Sequence, residues 1–307
     1  MKYIFVINPI AGKGSIQNHI IKNIKNYFEN IDEEYEIYIT KFKGDAKDYV
    51  SKKCEEKIPM VFIACGGDGT LHEVVNAVCN YKHVSVGVIP CGSGNDFIRN
   101  FENFTLFNHI DAQIKGRSVL IDLIKINEEY SVSVCNIGLD ADAAFNMTKF
   151  KKIPFISGTA CYILSLLYCL FKSLGVNLHI EFDDGKTLNN SFLLGVVANG
   201  SYYGGGYKCA PLAKINDGIL DICFIKKISR LNILKLLNSY KEGTYLNNNK
   251  INQFITYKKC KSIKIKSNNS FNFCVDGENI IHNHIELNIC ENALNFWLPN
   301  DVNLIRN

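Results

Sequence analysis

Three short stretches combine residues that could hold a phosphate: "NPIAGKGS" (8–15), "GGDGT" (66–70) and "CGSGND" (91–96). Glycine lets the backbone take positive φ and lets a ligand come close. Where a helix begins just beyond, unpaired N–H groups and the helix dipole favour an anion. Asp68 and Asp96 stand among these glycines, and Asn8, Lys13, Ser93 and Asn95 add polar side chains. The GxxxxGK(S/T) spacing of a P-loop is absent. Taken singly, each stretch also reads as a tight turn. Thr70 with Glu73, and Ser93 with Asp96, have the spacing of a capping box. A valine at Gly67 is expected to obstruct a bound phosphate without unfolding the chain.

The surrounding pattern supplies elements to carry these loops. "YIFVIN" (3–8), "YEIYIT" (35–40), "VFIAC" (61–65) and "VSVGVIP" (84–90) read as strands, "VFIAC" as a buried one. Helical stretches are expected at 15–30 and 45–56. A third is expected to begin at Thr70, where Leu71, Val74, Val75 and Val78 fall at i, i+3, i+4, i+7. Such alternation predicts an α/β domain with a mainly parallel sheet, and ligands in such sheets bind at the carboxyl ends of the strands. All three glycine-rich stretches lie there.

From about residue 119 strand-like runs dominate, from "VLIDLIKI" to "HIELNI", interrupted by helical segments at about 157–174 and at 231–242. This predicts a β-sandwich with helical insertions. The domains are therefore placed at 1–118 and 119–291, with 292–307 a candidate to return to the first. "YLNNNKINQ" (245–253) reads as a surface loop.

Composition is that of a globular chain of 307 residues, long enough for two domains. A net charge of +4 is too mild to argue for a nucleic-acid partner. The twelve cysteines are scattered without a CxxC pair and fit buried reduced thiols of a cytoplasmic protein. No histidine pair has metal-ligand spacing. "TACYILSLLYCLF" (159–171) is shorter than the roughly 18–20 residues that span a bilayer. It reads as a buried helix or, since Lys149, Lys151, Lys152 and Lys172 flank it, as an interfacial one near a lipid entrance. The lysines and the mild positive charge predict peripheral contact with anionic membranes.

Together, "NPIAGKGS", "GGDGTLHEVVNAV", "IPCGSGNDFIRN", "NGSYYGGGYKCAPLAKINDGILD" and "VDGE" closely resemble the diacylglycerol kinase catalytic-domain family. Its bacterial soluble members are nearest, with sphingosine and ceramide kinases as relatives. The motifs run in the family's order from residue 8 to residue 278. The resemblance implies ATP as co-substrate, Mg²⁺, a lipid substrate, and an ATP site between an α/β domain and a β-sandwich. The implied nucleotide contacts are Asn8, Pro9, Ile10, Ala11, Gly12, Thr40, Gly66, Gly67, Asp68, Gly69, Thr70, Leu71, His72 and Ser93. Asp68 and Asp96 would help organise catalytic Mg²⁺. The implied proton acceptor lies in Asp276-Gly277-Glu278, where an extended backbone would put both carboxylates on one face. An Asp-Gly hairpin turn is the other reading of that motif, and which carboxylate takes the proton stays open. A structural Mg²⁺ is implied at Asp217 with the carbonyls of Lys214 and Ile219, where oxygen-only ligation suits the ion. Asn-Asp-Gly there also reads as a plain turn. Ser93 stands where the family often has Thr, and both carry a hydroxyl.

The expected activity is phosphorylation of the diacylglycerol hydroxyl to phosphatidate. The alternatives are another acceptor (a sphingoid base or phosphatidylglycerol), an NAD kinase, which shares a GGDGT motif, or a nucleotide-binding regulator without catalysis. Homodimers are frequent among the lipid-kinase relatives, but no interface is legible in the residues.

Overall fold

A computed structural model describes residues 1–14, 16–29, 31–150, 158–172 and 175–305. Ser15, Lys151, Lys152 and the side chain of Lys13 lie outside the described residues. The chain divides into two compact units, Met1–Leu123 with Glu291–Asn307, and Ile124–Cys290.

In the first unit, runs rich in Val, Ile and Phe form β1 (Lys2–Ile7), β2 (Glu34–Ile39), β3 (Met60–Gly66) and β4 (Val84–Pro90). They pair in parallel in the order β4-β3-β1-β2. Every residue of β3 is buried, as expected for a central parallel strand covered on both faces. The crossovers are α1 (Ile16–Phe28), α2 (Asp45–Cys54) and α3 (Asp68–Val78). Ile20, Ile24 and Phe28 recur every four residues on α1 and close over Tyr3, Phe5 and Ile63.

α3 begins two residues before Thr70. Gly67 is its N-cap, and Thr70 N–H already donates to Gly67 O at 3.0 Å. The expected capping box does not close this helix. Glu73 instead reaches the start of α2, where its Oε1 accepts the Gly44 N–H at 2.9 Å. A sequence spacing of three fits both arrangements, and tertiary contact decides between them.

After β4 come β5 (Phe101–Glu102), α4 (Ile110–Ile114) and β6 (Arg117–Ile126). Fully buried Gln113 donates to Val88 O at 2.7 Å and to Phe107 O at 2.9 Å. The C-terminal residues join this unit. Phe296 pairs with Val86, Trp297 Nε1 donates to Gln113 O at 2.6 Å, and β15 (Asn303–Leu304) pairs with β5.

The second unit continues from the end of β6 through β7 (Glu129–Ser131), β8 (Val134–Gly138), α5 (Leu139–Phe150) and α6 (Gly158–Phe171). Next are β9 (Val176–Phe182), β10 (Thr187–Ala198), β11 (Leu220–Lys226) and α7 (Arg230–Glu242). It closes with α8 (Asn249–Asn252), β12 (Ile255–Cys260), β13 (Ser262–Val275) and β14 (Glu278–Leu298), whose last residues lie in the first unit. The long strands β10 and β13 each pair with β9 along their outer part and with β8 along their inner part. Sharing two strands between pairings in this way makes the sandwich. Its interior holds Ile180, Phe192, Phe224, Phe273 and Ile285. A second core lies under α5, α6 and α7, around Leu166, Leu194, Leu236 and Tyr240.

Two expectations are corrected. The sequence assigns no element to 139–150, but Gly138 at φ 83° turns the chain, and Asp140 and Asp142 favour the start of α5. Residues 245–253 are not a plain surface loop. They form a 3₁₀ turn (Tyr245–Asn247) and α8, anchored by fully buried Tyr245. All twelve cysteines are free thiols and ten are buried, as the composition predicted.

Gly195 on β10 faces Phe224, and a β-carbon there would overlap the ring. Gly195→Ala should therefore destabilise the protein by about 1–3 kcal/mol through overpacking. A urea midpoint equal to wild type would refute this account of the sandwich core.

Candidate active site

The loops after β1, β3 and β4 meet at one end of the parallel sheet. Cys91 N–H donates to Gly66 O at 2.7 Å and Asn8 N–H to Cys65 O at 3.0 Å, extending the sheet pairing by one step. Asn8 then ties its loop to α3. Its Nδ2 donates to Thr70 Oγ1 at 3.1 Å, and its Oδ1 accepts the Ile10 N–H at 3.0 Å. Asn95, at φ 50°, closes the third loop by accepting from Gly92 N and donating to Gly92 O, at 2.9 and 2.8 Å.

The glycines serve packing as well as access. A β-carbon on Gly67 would lie 3.2 Å from Gly92 Cα, and one on Gly92 would lie 2.5 Å from Gly67 Cα. The expectation that Gly67→Val leaves folding untouched is therefore corrected, because the side chain meets the neighbouring loop.

Asp68 and Asp96 are brought together. Asp68 Oδ1 accepts the N–H of Asp96 at 2.9 Å and of Phe97 at 3.5 Å, so it caps the 3₁₀ turn Phe97–Asn100. The other oxygens converge beside Gly94, where a β-carbon would lie 2.9 Å from Asp68 Oδ2 and 3.2 Å from Asp96 Oδ2. The Asp96 side chain makes no cap of its own and pairs with Arg99 Nε at 3.5 Å. Two like charges facing one point fit a divalent cation held there.

The other candidate residues take varied places. Ser93 is exposed, Ile10 is 84% exposed, and Pro9, Ala11 and Gly12 lie in the same segment as Ile10 between β1 and α1, with Gly12 at φ 62°. Thr40 is buried and ends β2, its N–H donating to Ile7 O at 2.9 Å. Leu71 and His72 are buried on α3, with Asn76 Nδ2 3.4 Å from His72 Nε2. At Gly66, Gly67 and Gly69, backbone amides are what the chain can offer a phosphate. Burial pushes the Cys91 thiol up to about 11, so it stays protonated beside this loop.

In the second unit, Asp276 and Gly277 have φ 46° and 95°, and Val275 pairs with Glu278. This is a two-residue hairpin turn between β13 and β14. The expectation of two carboxylates on one face of an extended strand is corrected, because the turn separates them. The Asp276 carboxylate is clamped. Oδ1 accepts from Ser131 Oγ at 2.7 Å and from Ser133 and Val134 N–H at 3.1 Å each, and Oδ2 accepts from Val132 N–H at 2.9 Å. Buried Asn199 holds the same segment from its other side, donating from Nδ2 to Val132 O at 3.2 Å. Nothing in the composition of residues 131–134 signalled this role. Glu278 is half-buried at the first position of β14.

Asp217 sits in the turn before β11, with Gly218 at φ 71°. Its Oδ2 pairs with Lys259 Nζ at 3.3 Å, and Lys259 also pairs with buried Asp221 at 3.2 Å. Among the described residues, Asp217 Oδ1 is buried without a hydrogen-bond partner. An orphaned carboxylate oxygen in a turn rich in carbonyls fits a hard cation, with Lys214 and Ile219 carbonyls as neighbours in sequence.

Sequence reasoning missed an apolar pocket in this unit. It is lined by Leu139, Leu166, Leu193, Leu194, Ile233 and Leu236, with Asp140, Tyr203 and Tyr240 as its polar groups. The Tyr203 hydroxyl donates to Asp140 and also lies 3.4 Å from the Tyr240 hydroxyl. Tyr203 and Asp140 lie 63 residues apart, a separation that no local pattern reveals.

Asp68 has a structural share that can be separated from any catalytic one. Asp68→Ala should cost about 1–2 kcal/mol, the usual loss for removing a cap. Asp68→Asn keeps an acceptor oxygen and should stay within about 0.5 kcal/mol of wild type. Denaturant titration of both variants checks this, and equal losses would show that Oδ1 is not the cap.

The chain also compares closely with known proteins. Residues 2–126 match the diacylglycerol kinase catalytic domain, and residues 133–297 match the YegS C-terminal NAD kinase beta sandwich-like domain. A diacylglycerol kinase of Staphylococcus carnosus is 27% identical over 89% of this chain and 87% of that one. One from Staphylococcus saprophyticus is 29% identical over 89% and 87%. The crystal structure of a diacylglycerol kinase from Bacillus anthracis superposes with a TM-score of 0.70 at 21% identity, covering 98% and 97% of the two chains, and shows the shared fold. With both domains matched in order over most of its length, the chain belongs to the diacylglycerol kinase family and is a lipid kinase.

Proposed function

We propose that the protein transfers the γ-phosphoryl group of ATP to the free hydroxyl of diacylglycerol, giving phosphatidate and ADP. The observation that carries this reading is the convergence of Asp68 and Asp96 beside the glycine-rich loops of the first unit. The names of the relatives point to the acceptor. The apolar pocket of the second unit suits an acyl chain, and the substrate is met at an anionic membrane surface.

ATP is held by the Asn8–Gly12 turn, Thr40, the Gly66–His72 turn and Ser93, with the first amides of α3 turned to the phosphates. Asp68 and Asp96 would hold Mg²⁺, and the ion would supply charge neutralisation for the phosphates. The lipid oxygen attacks the γ-phosphorus, the bond to the β-phosphate oxygen breaks, and ADP leaves with that electron pair. Glu278 takes the hydroxyl proton. Asp276 does not, because four donors already engage its oxygens. Its part is to hold the turn that presents Glu278. Asp217, with the carbonyls of Lys214 and Ile219, would hold a second Mg²⁺ of structural use.

Separate changes at the two carboxylates test this division. Glu278→Gln should lower turnover by about two to four orders of magnitude with folding unchanged. Asp276→Asn places an amide against backbone N–H groups and should cost about 1–3 kcal/mol of stability. Wild-type turnover in Glu278→Gln would remove it as the base. The acceptor is tested with labelled ATP and a panel of diacylglycerol, phosphatidylglycerol, a sphingoid base and NAD. Preferred phosphorylation of any but the first would overturn the diacylglycerol assignment.

The structural cation is tested by melting. With Mg²⁺ at about 100 times its dissociation constant, the wild type should gain about 2.7 kcal/mol. Asp217→Asn should lose that gain and keep only what Mg²⁺ at Asp68 and Asp96 contributes, while Asp68→Asn should leave the Asp217 share in place. A wild-type melting curve indifferent to Mg²⁺ would refute the site.

A further inference from the structure

We infer that Phe42 is the platform on which the base of the nucleotide stacks. This rests on the ATP reading above. On that reading the phosphates lie at the ends of β3 and β4, where Asp68 and Asp96 converge. The parallel sheet continues from β3 through β1 to β2. From β3 to β2 is two strand spacings, about 10 Å, within the reach of an extended nucleoside triphosphate. Residues 41–44 follow β2 and continue the row of loops at the carboxyl ends of the strands. Thr40, just before them, donates its N–H to Ile7 O at the end of β1. The loop therefore opens beside the turn of residues 8–12.

Phe42 is 62% exposed on this loop. A single exposed apolar side chain is common, but the backbone that carries this one is fixed. Buried Asp45 accepts the Lys41 N–H through Oδ2 at 2.7 Å and the Tyr38 hydroxyl through Oδ1 at 2.9 Å. Asp45 N–H donates back to Phe42 O at 3.3 Å. Gly44, at φ 92°, donates its N–H to Glu73 Oε1 of α3 at 2.9 Å. One helix thus carries Asp68 in its first turn and holds the Phe42 loop from its second. The N-terminus of α2 is not itself a phosphate site, because Asp45 and Asp48 stand in its first turn. What the loop presents is a π-face, on which a base stacks without hydrogen-bond readout. Ile10, 84% exposed in the neighbouring turn, adds a second apolar side chain at this edge of the site. Exposed Lys41 and Lys43 flank the ring, so a charge role for the loop is the rival that the test must separate.

The test is isothermal titration of the whole protein, in Mg²⁺, with ATP and with inorganic tripolyphosphate. The two share a triphosphate and differ by the nucleoside. Wild type should bind ATP more tightly. Phe42→Ala should weaken ATP about tenfold or more and leave tripolyphosphate unchanged. Phe42→Tyr keeps the ring and should bind ATP as wild type does, whereas Phe42→Leu should fall with Phe42→Ala. In steady state the KM for ATP should rise in Phe42→Ala with kcat kept, because stacking is the same in ground and transition states. Wild-type ATP affinity in Phe42→Ala would overturn the proposal. So would an equal loss for ATP and tripolyphosphate, which would assign the loop to the phosphates through its lysines. Full affinity in Phe42→Leu would overturn it too, since apolar cover would then suffice. If wild type bound tripolyphosphate as tightly as ATP, the phosphate loops would stand and the platform would not. If it bound neither, the ATP reading itself would fail and the platform with it.

Discussion

The loops after β3 and β4 cross with no side chain between them. Gly67 and Gly92 touch through bare backbone, close enough that a β-carbon on Gly92 would lie 2.5 Å from the other Cα. This contact sets the spacing of the glycine-rich loops at that end of the first unit. It lets Asp68, in the first turn of α3, reach across and cap the turn that follows Asp96. Wider loops would leave both carboxylates on separate elements, each solvated by itself. Instead, Asp68 Oδ2 and Asp96 Oδ2 both lie beside Gly94. Access for a phosphate and packing between loops thus ask for the same residue type at the same positions.

Carboxylates in this chain have two kinds of work, and geometry distinguishes them. Asp276 spends its lone pairs on four donors from residues 131–134. Asp122, buried, accepts the N–H of Asn292 at 2.7 Å where the backbone turns at φ 51°. Both are anchors that fix a turn to a strand. Glu278, one residue past its turn, is placed by Asp276 rather than employed like it. The motif Asp-Gly-Glu is then a hairpin and a candidate catalytic device together. The Asp-Gly pair shapes the turn, and the turn presents the glutamate.

Legibility followed locality. β1 to β4 and the periodic face of α1 were readable because a buried strand or an amphipathic helix is written in neighbouring residues. The order of the motifs was enough to state a family. What escaped depends on contacts between distant residues. Glu73 looked like a cap for Thr70 and bonds to Gly44 instead, 29 residues away. α5 was left without an assignment, and the structure marks its start by the positive φ at Gly138. The 245–253 stretch looked polar, yet Tyr245 is buried and its hydroxyl hydrogen-bonds to Cys209 O. Within the site, residue types were legible, but the clamp on Asp276 was not. It consists of three backbone N–H groups and the Ser131 hydroxyl, 142–145 residues upstream.

A kinase whose acceptor lives in a bilayer faces two conflicting requirements. Phosphoryl transfer calls for fixed charges and a defined path for one proton. Taking up a lipid calls for apolar surface that water would otherwise close over. The chain separates these by unit. The first unit concentrates glycines, amides and carboxylates on the ends of a rigid parallel sheet. The second carries its apolar pocket beneath α6 and α7, outside the strands of its sandwich. The strands β8, β10 and β11 serve both cores, with Phe192 and Phe224 in the sandwich interior and Val134, Leu194, Val196 and Ile225 in the core under the helices. The packing of those helices therefore bears on Val134, whose N–H is one of the donors that hold Asp276 and its turn.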